Sequence, residues 1–275
     1  MRDRQAWLRH SKELIHICEA IREGLYGDLE EDPIGRIVSA MLQKGVRTFR
    51  AIRLLYMNGL EEQAQALVRV LFETMVDLNM FVFKVSENQK AAIKRVLDAM
   101  MLQKVQQARE SKWVGFDLVG MDPNGFLAVE EEIKTRYTSE EVKAMRRHGF
   151  SGLPFKERAD SIEATEMSNI LYRNFSRNVH STDYAEQLRL LGLEEDSGWD
   201  NFKDLRDAVG FSAAATLLWE MAHTATIIPT RETAIKIRLL INLDRVGAKF
   251  RGIESWVRFE PADAPTPEAE LRVHT

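Results

Sequence analysis

The residues that decide the fold are 61–85, which read EEQAQALVRVLFETMVDLNMFVFKV. Large apolar side chains recur along this stretch and cover most of the circumference of a helix; they are Leu67, Val68, Leu71, Phe72, Met75, Val76, Leu78, Met80, Phe81 and Phe83. A helix that is apolar on almost every side is stable only when other elements surround it. We therefore predict a buried central helix against which the rest of the chain packs.

The sequence on either side of this stretch also has the 3.6-residue period of helices. Residues 4–23 form an amphipathic pattern, and Asp32 followed by Pro33 has the form of an N-cap and a first-turn proline. The helix that begins there is expected to end at residues 58–59, and residues 86–89 supply an N-cap for a further helix. Short connections between helices favour antiparallel neighbours.

The second half of the chain is less regular. Glycine, proline and aromatic residues replace the helical period over residues 111–126, so we predict an irregular loop there. Further helices are expected over 129–147, with a break near 137–139, over 156–183, over 201–226, and in a last segment that ends near residue 250. No run alternates in the manner of a strand. The prediction is an all-α protein: a single bundle of about eight helices over residues 1–256, followed by a flexible tail rich in proline and alanine over 257–275.

Composition excludes several classes of protein. No segment approaches the roughly 18–20 apolar residues of a membrane-spanning helix, and the first residues lack the apolar core of a secretion signal, so we expect a cytoplasmic protein without a membrane partner. The only cysteine, Cys18, excludes a disulfide within the chain and a cysteine-rich zinc site. His10 and His16 do not share a helix face well. Because His148 and His223 stand alone, no metal or cofactor is predicted. The net charge of −4 gives no overall attraction to nucleic acid.

A first group of polar residues lies on the helix predicted to be buried. Arg69, Glu73 and Asp77 are four residues apart and therefore share one helix face. An unpaired ion in a protein core costs several kcal/mol, so this face should meet complementary groups from other helices. The expected groups are Arg158, Tyr172, Ser176 and His180. A simpler alternative stays open, in which Arg69 and Glu73 form a salt bridge within the helix at an edge of the bundle.

A second group of residues suggests chemistry. Tyr172, Ser176 and His180 recur every four residues, and Arg173 and Arg177 lie with His180 on an adjacent face. An imidazole can move a proton near neutral pH, and guanidinium groups hold a phosphate or its transition state. In the alternative interpretation, Ser176 and His180 form hydrogen bonds across the bundle while the two arginines face water.

A third group is a basic row on the second helix. It consists of Lys44, Arg47, Arg50 and Arg53, at spacings of three residues. Such a row can contact phosphates. A solvated helix face explains it better, because no aromatic residues accompany it for base stacking.

Three motifs carry a resemblance to a known family. They are Arg69-x-x-Phe72-Glu73, Lys156-Glu157-Arg158-Ala159 and Tyr172-Arg173-x-x-Ser176-x-x-x-His180-Ser181. In their order and spacing, residues 40–225 resemble an uncharacterised family of bacterial helical proteins classed as a domain of unknown function. This resemblance implies a helical fold and brings no established activity.

Arg173-Asn174 followed by His180 is also similar, more distantly, to the motif of the HEPN superfamily. That resemblance implies a metal-independent ribonuclease of a bacterial defence or toxin system, in which Arg173 and His180 meet the same residues of a second copy across a homodimer interface, with RNA as the substrate. A non-enzymatic protein stays open as the alternative, with a structural polar motif and a function in binding a protein partner or a ligand.

Overall fold

The computed structural model describes residues 2–26, 32–110, 123–169, 199–228 and 233–254. Within these ranges the chain forms nine helices and no strand, so the prediction of an all-α fold is confirmed. The helices are α1 (Arg2–Tyr26), α2 (Pro33–Met57), α3 (Glu61–Glu110), α4 (Pro123–Lys134), α5 (Ser139–His148), α6 (Phe155–Ser161), α7 (Thr165–Met167), α8 (Trp199–Ile227) and α9 (Thr233–Glu254). The predicted tail at 257–275 lies outside the described residues, so the division of the chain into one domain and a tail stays a prediction.

The centre of the fold is the first half of α3, residues 61–87. It packs against α2 and α8, while α1 and α9 pack against each other and against α8. Leu71, Phe72 and Phe81 are fully buried, which confirms the predicted central helix. Phe83 differs from the prediction, because it is 55% exposed. It lies about 200° around the helix from Phe81 and therefore faces solvent.

The turn at Asn88 divides α3 into two halves. The backbone of Asn88 is extended, with φ −156° and ψ 96°, and its side-chain oxygen accepts a hydrogen bond from the N–H of Ala91 at 3.1 Å. Asn88 is thus the cap predicted within residues 86–89. Asp77 and Gln103 line the same cleft, although a straight helix would separate them by about 39 Å. The second half of α3, residues 89–110, therefore folds back beside the first half.

Helix α4 begins earlier than predicted. Its first residue is Pro123, within the predicted loop of residues 111–126, whereas the sequence pattern suggested a start near residue 129. A proline suits the first position of a helix because it has a fixed φ and lacks the N–H that would be left unpaired there. The predicted break near 137–139 is confirmed, since Thr138 caps α5 in a reciprocal pair of hydrogen bonds with Glu141.

The continuous helix predicted over 156–183 is wrong at residues 162–164. Helix α6 ends at Ser161, and Glu163 has a φ of 59°, a left-handed conformation that does not continue a right-handed helix. The chain then forms the short α7. The break has no glycine or proline to mark it in the sequence, and residues 170–198 lie outside the described ranges.

Ion pairs hold α4 and α5 against the second half of α3. The carboxylate of Glu130 is fully buried and contacts Arg109 at 2.5 Å, Lys134 at 3.3 Å and Arg146. A small apolar cluster accompanies these pairs and consists of Ala99, Leu102, Ile133, Val142 and Met145. A buried carboxylate is tolerated only with such partners. The ion pair of Glu130 with Arg146 therefore ties the last turn of α5 to α4.

We expect the substitution Glu130→Gln to destabilise the protein by about 3 kcal/mol, because it leaves the three cations around a neutral group. Urea unfolding measures this change in the free energy of unfolding. Glu131→Gln is the matched control, since Glu131 is 69% exposed and pairs with the same Lys134. Equal losses in the two variants would show that the buried carboxylate has no special role.

Candidate functional site

A cleft of about 560 Å³ opens between the two halves of α3 and the segment that runs from the end of α5 to α6. Its polar lining consists of Glu73, Asp77, Gln103, Arg147, His148 and Arg158. Its apolar lining consists of Met41, Val96, Ala99, Met100, Phe150, Pro154 and Phe155. The cleft exists because α3 folds back, which places residues from both halves on facing walls.

The ion pair between Asp77 and Arg158 joins two walls of the cleft. The Nη1 of Arg158 donates to Oδ1 of Asp77, and the two side chains are 12% and 30% exposed, with Arg158 the more buried. The guanidinium carbon of Arg158 also lies 5.5 Å from the centre of the Phe155 ring. Of the contacts predicted for the polar face of α3, this one is present in the structure. It ties α6 to the central helix.

The electrostatic state of Asp77 reflects two opposing influences. Burial raises the pKa of Asp77, while the nearby Arg158 and Lys44 lower it and Glu73 raises it further. Burial is the largest of these influences, so the pKa of Asp77 lies above its ordinary value. This carboxylate therefore keeps its proton to a higher pH than an exposed aspartate does.

Glu73 forms the salt bridge that the sequence offered as a simpler alternative. The Nε of Arg69 donates to Oε1 of Glu73 at 3.1 Å, one helical turn away on the same face. This bridge and the pair between Asp77 and Arg158 occur together, so each interpretation describes part of the polar face. Within the described residues, the second oxygens of Glu73 and Asp77 have no hydrogen-bond donor and remain able to accept one.

Arg147 and His148 complete the cleft, and sequence reasoning missed both. Within the part of the chain that the structure describes, neither forms a hydrogen bond or an ion pair, whereas the adjacent Arg146 contacts Glu130. The run Arg146-Arg147-His148 before Gly149 is typical of a helix C-terminus, so the sequence pattern does not indicate that two of these residues line a cleft. Among the described residues, the cleft thus has an arginine and an imidazole without a hydrogen-bond partner.

The remaining predicted site residues lie outside the described residues, so their predicted meeting with Asp77 is untested. They are Tyr172, Arg173, Ser176, Arg177 and His180.

The basic row on α2 is split between two environments. Arg50 contacts Glu19 at 2.5 Å, and Arg53 donates to the hydroxyl of Ser11 at 3.0 Å, so both help to hold α1 against α2. Lys44 is exposed and is close enough to influence Asp77. Lys44 therefore contributes to the electrostatics of the cleft through Asp77.

Other kinds of site receive little support in the described ranges. No group of three histidine, cysteine, aspartate or glutamate side chains there could hold a metal ion. Cys18 is fully buried, and burial raises the pKa of its thiol, which makes it a poor nucleophile. None of the described helices is both long enough and apolar enough to cross a bilayer.

The raised pKa of Asp77 predicts a pH dependence of stability. The contribution of this residue is complete below the ordinary aspartate pKa of about 3.9 and is lost as the pH rises through the raised value. As the pH rises from about 4 through the raised pKa of Asp77, the wild type should therefore lose stability relative to Asp77→Asn, by about 1.4 kcal/mol for each unit of the pKa increase.

Urea unfolding of the two proteins across this range tests the prediction. The opposite slope would mean that the ion pair with Arg158 outweighs burial and that the pKa of Asp77 is lowered.

Comparison with known proteins identifies a family for this chain. A family model covers residues 35–210, a range that contains every residue lining the cleft, and the family is described as a family of unknown function (DUF5677). No match was found among curated proteins or among solved structures.

Proposed function

The chain belongs to this family of unknown function, and from the cleft we propose that the protein binds a small ligand that carries a phosphate or a similar anionic group. The observation that carries the proposal is a surplus of basic side chains. Among the described residues, Arg147, His148 and Arg158 line the cleft together with the two carboxylates of Glu73 and Asp77.

The surplus increases when existing ion pairs are considered. Arg69 neutralises Glu73, and Arg158 neutralises Asp77. Arg147 and Lys44 have no such counterpart within the described residues, and His148 adds a donor or, when protonated, another cation. Phosphate oxygens accept short, charge-assisted hydrogen bonds from such groups. An anionic ligand would therefore supply the negative charge that balances these basic side chains.

The shape of the cleft also supports a small ligand. Its volume of about 560 Å³ lies within the range typical of small-molecule sites. The buried Glu130 contacts Arg146 and so holds the backbone at the end of α5, from which Arg147 and His148 extend. A backbone that is already ordered reduces the entropic cost of binding.

Binding of inorganic phosphate tests this proposal. We expect phosphate to raise the melting temperature above that in sodium chloride of equal ionic strength, because a ligand that binds the folded state stabilises it. Arg147→Ala should weaken phosphate binding roughly ten-fold in isothermal titration calorimetry, since a hydrogen bond to a charged group is lost.

Lys94→Ala is the matched control for charge. Lys94 is exposed on the second half of α3, about 200° around the helix from the cleft residue Val96. An equal loss of phosphate affinity in both variants would mean that Arg147 acts through long-range electrostatics and does not contact the phosphate. No phosphate binding by the wild type would contradict the proposed function.

Metal-independent cleavage of RNA is the second candidate function. The sequence spacing supports it: Arg173 and His180 are seven residues apart, a spacing of two turns that would bring them nearly into line on a helix. In this proposal His180 transfers the proton and Arg173 or Arg177 holds the phosphodiester. A bacterial defence or toxin system would use such an activity.

Cleavage of RNA by the purified protein in the presence of a metal chelator tests this candidate. Wild type should cleave, and His180→Ala should not, while circular dichroism shows that the variant remains folded. If the wild type does not cleave and His180→Ala is unstable, the motif is structural, and ligand binding remains as the function.

A further inference from the structure

A second cavity lies beside the cleft. Its volume is about 410 Å³, and its lining consists of Met80, Lys84, Glu87, Asn88, Ala91, Ala92, Arg95, Phe150, Ser151 and Leu153. Phe150 lines both spaces. The cavity is therefore a neighbour of the cleft and shares a wall with it.

The two spaces follow one another along the folded-back α3. Asp77 lines the cleft and Met80 lines the cavity on the first half, while Val96 lines the cleft and Ala92 lines the cavity on the second half. These steps of three and four residues are each about one helical turn, or roughly 4.5 and 6 Å. The cavity thus lies between the cleft and the turn at Asn88, within the reach of a single small molecule.

The wall between them is a fixed part of the fold. The carbonyl oxygen of Phe150 accepts a hydrogen bond from Nε of Arg95 at 2.8 Å. The ring of Phe150 lies edge-on to the ring of Phe81, with 6.4 Å between the ring centres. Gly149 and Gly152 have φ values of 78° and 71°, which let the chain bend on either side of Phe150. The loop consequently forms the wall between the charged cleft and the second cavity, and both spaces stay open to solvent.

The polar groups at the second cavity already have partners. Lys84 contacts Glu87 at 2.8 Å, and Arg95 contacts Glu141 at 3.3 Å besides the carbonyl of Phe150. The remaining surface is formed mainly by the side chains of Met80, the two alanines, Phe150 and Leu153. Such a surface gains free energy by taking apolar groups out of water, and it offers little to a second anion.

From this arrangement we infer that the protein binds an amphipathic anion, such as an alkyl or acyl phosphate, with its anionic group in the cleft and its hydrocarbon part beside Phe150 in the second cavity. This inference rests on the proposed function, because it assigns the anionic group to the same cleft. It adds the chemical class of the rest of the ligand.

Soluble phosphates of increasing chain length test the inference. Calorimetry with inorganic phosphate, ethyl phosphate, butyl phosphate and hexyl phosphate should show an affinity that increases roughly four-fold for each methylene group that becomes buried. Arg147→Ala should weaken all four ligands by the same factor, because it acts only on the anionic group.

Ala91→Phe and Leu153→Ala isolate the second cavity. Ala91 is exposed, so a phenylalanine can fill the cavity without displacing core residues, whereas Leu153→Ala removes part of the apolar wall. We expect both variants to bind inorganic phosphate as the wild type does and to lose most of the gain with chain length.

The results separate the two proposals. Phosphate binding with no chain-length dependence would overturn the amphipathic ligand and leave the proposed function intact, while no binding of any phosphate would overturn both. Sedimentation with phosphatidylcholine vesicles that contain phosphatidic acid distinguishes a membrane source of the ligand. Binding to these vesicles without binding to the soluble alkyl phosphates would also overturn the inference that one ligand occupies both the cleft and the second cavity.

Discussion

The turn at Asn88 is the constraint on which the rest of the structure depends. One residue leaves the helical conformation, and its side chain begins the next helix by accepting the N–H of Ala91. The first half of α3 is thereby enclosed by α2 and α8, and the second half offers a surface for α4 and α5. Both cavities lie in the space between the halves, so a straight α3 would abolish them.

The two halves of α3 are held by different forces. The first half belongs to the large apolar core, where Leu71, Phe72 and Phe81 are completely buried. The second half meets α4 and α5 through a smaller cluster and through ion pairs to the buried Glu130 and to Asp98, which Arg136 contacts at 2.7 Å. Apolar contacts have no charge for salt to screen, whereas ion pairs do, although a buried partner such as Glu130 reduces the screening. The wall that contains Arg147 and His148 therefore depends on charge as well as on apolar burial.

The sequence predicted those features that depend on short-range patterns. The buried central helix followed from its apolar period, the turn from residues 86–89, and the pairing of Arg69 with Glu73 from their spacing. The start of α4 and the break at Glu163 were misjudged, because a proline can open a helix and because a non-glycine residue adopted a positive φ. Arg147 and His148 were missed, since their role depends on the distant Asp77 and Arg158 facing them. Local periodicity contains no information about such a meeting.

The folded-back helix also constrains how the chain can change in length. Glu73 and Asp77 face Val96 and Gln103 across the cleft. The number of residues on each side of Asn88 sets how far along the helix axis, and at which angle around it, each of these side chains lies. A helix turns about 100° per residue, so inserting or deleting one residue between Asp77 and Asn88 would rotate the carboxylates away from the opposite wall. Residues in this region can therefore be exchanged for others of similar character, but their number cannot change by one. The positions of the polar groups in the cleft therefore depend on the number of residues in the helical hairpin as much as on the chemistry of the side chains.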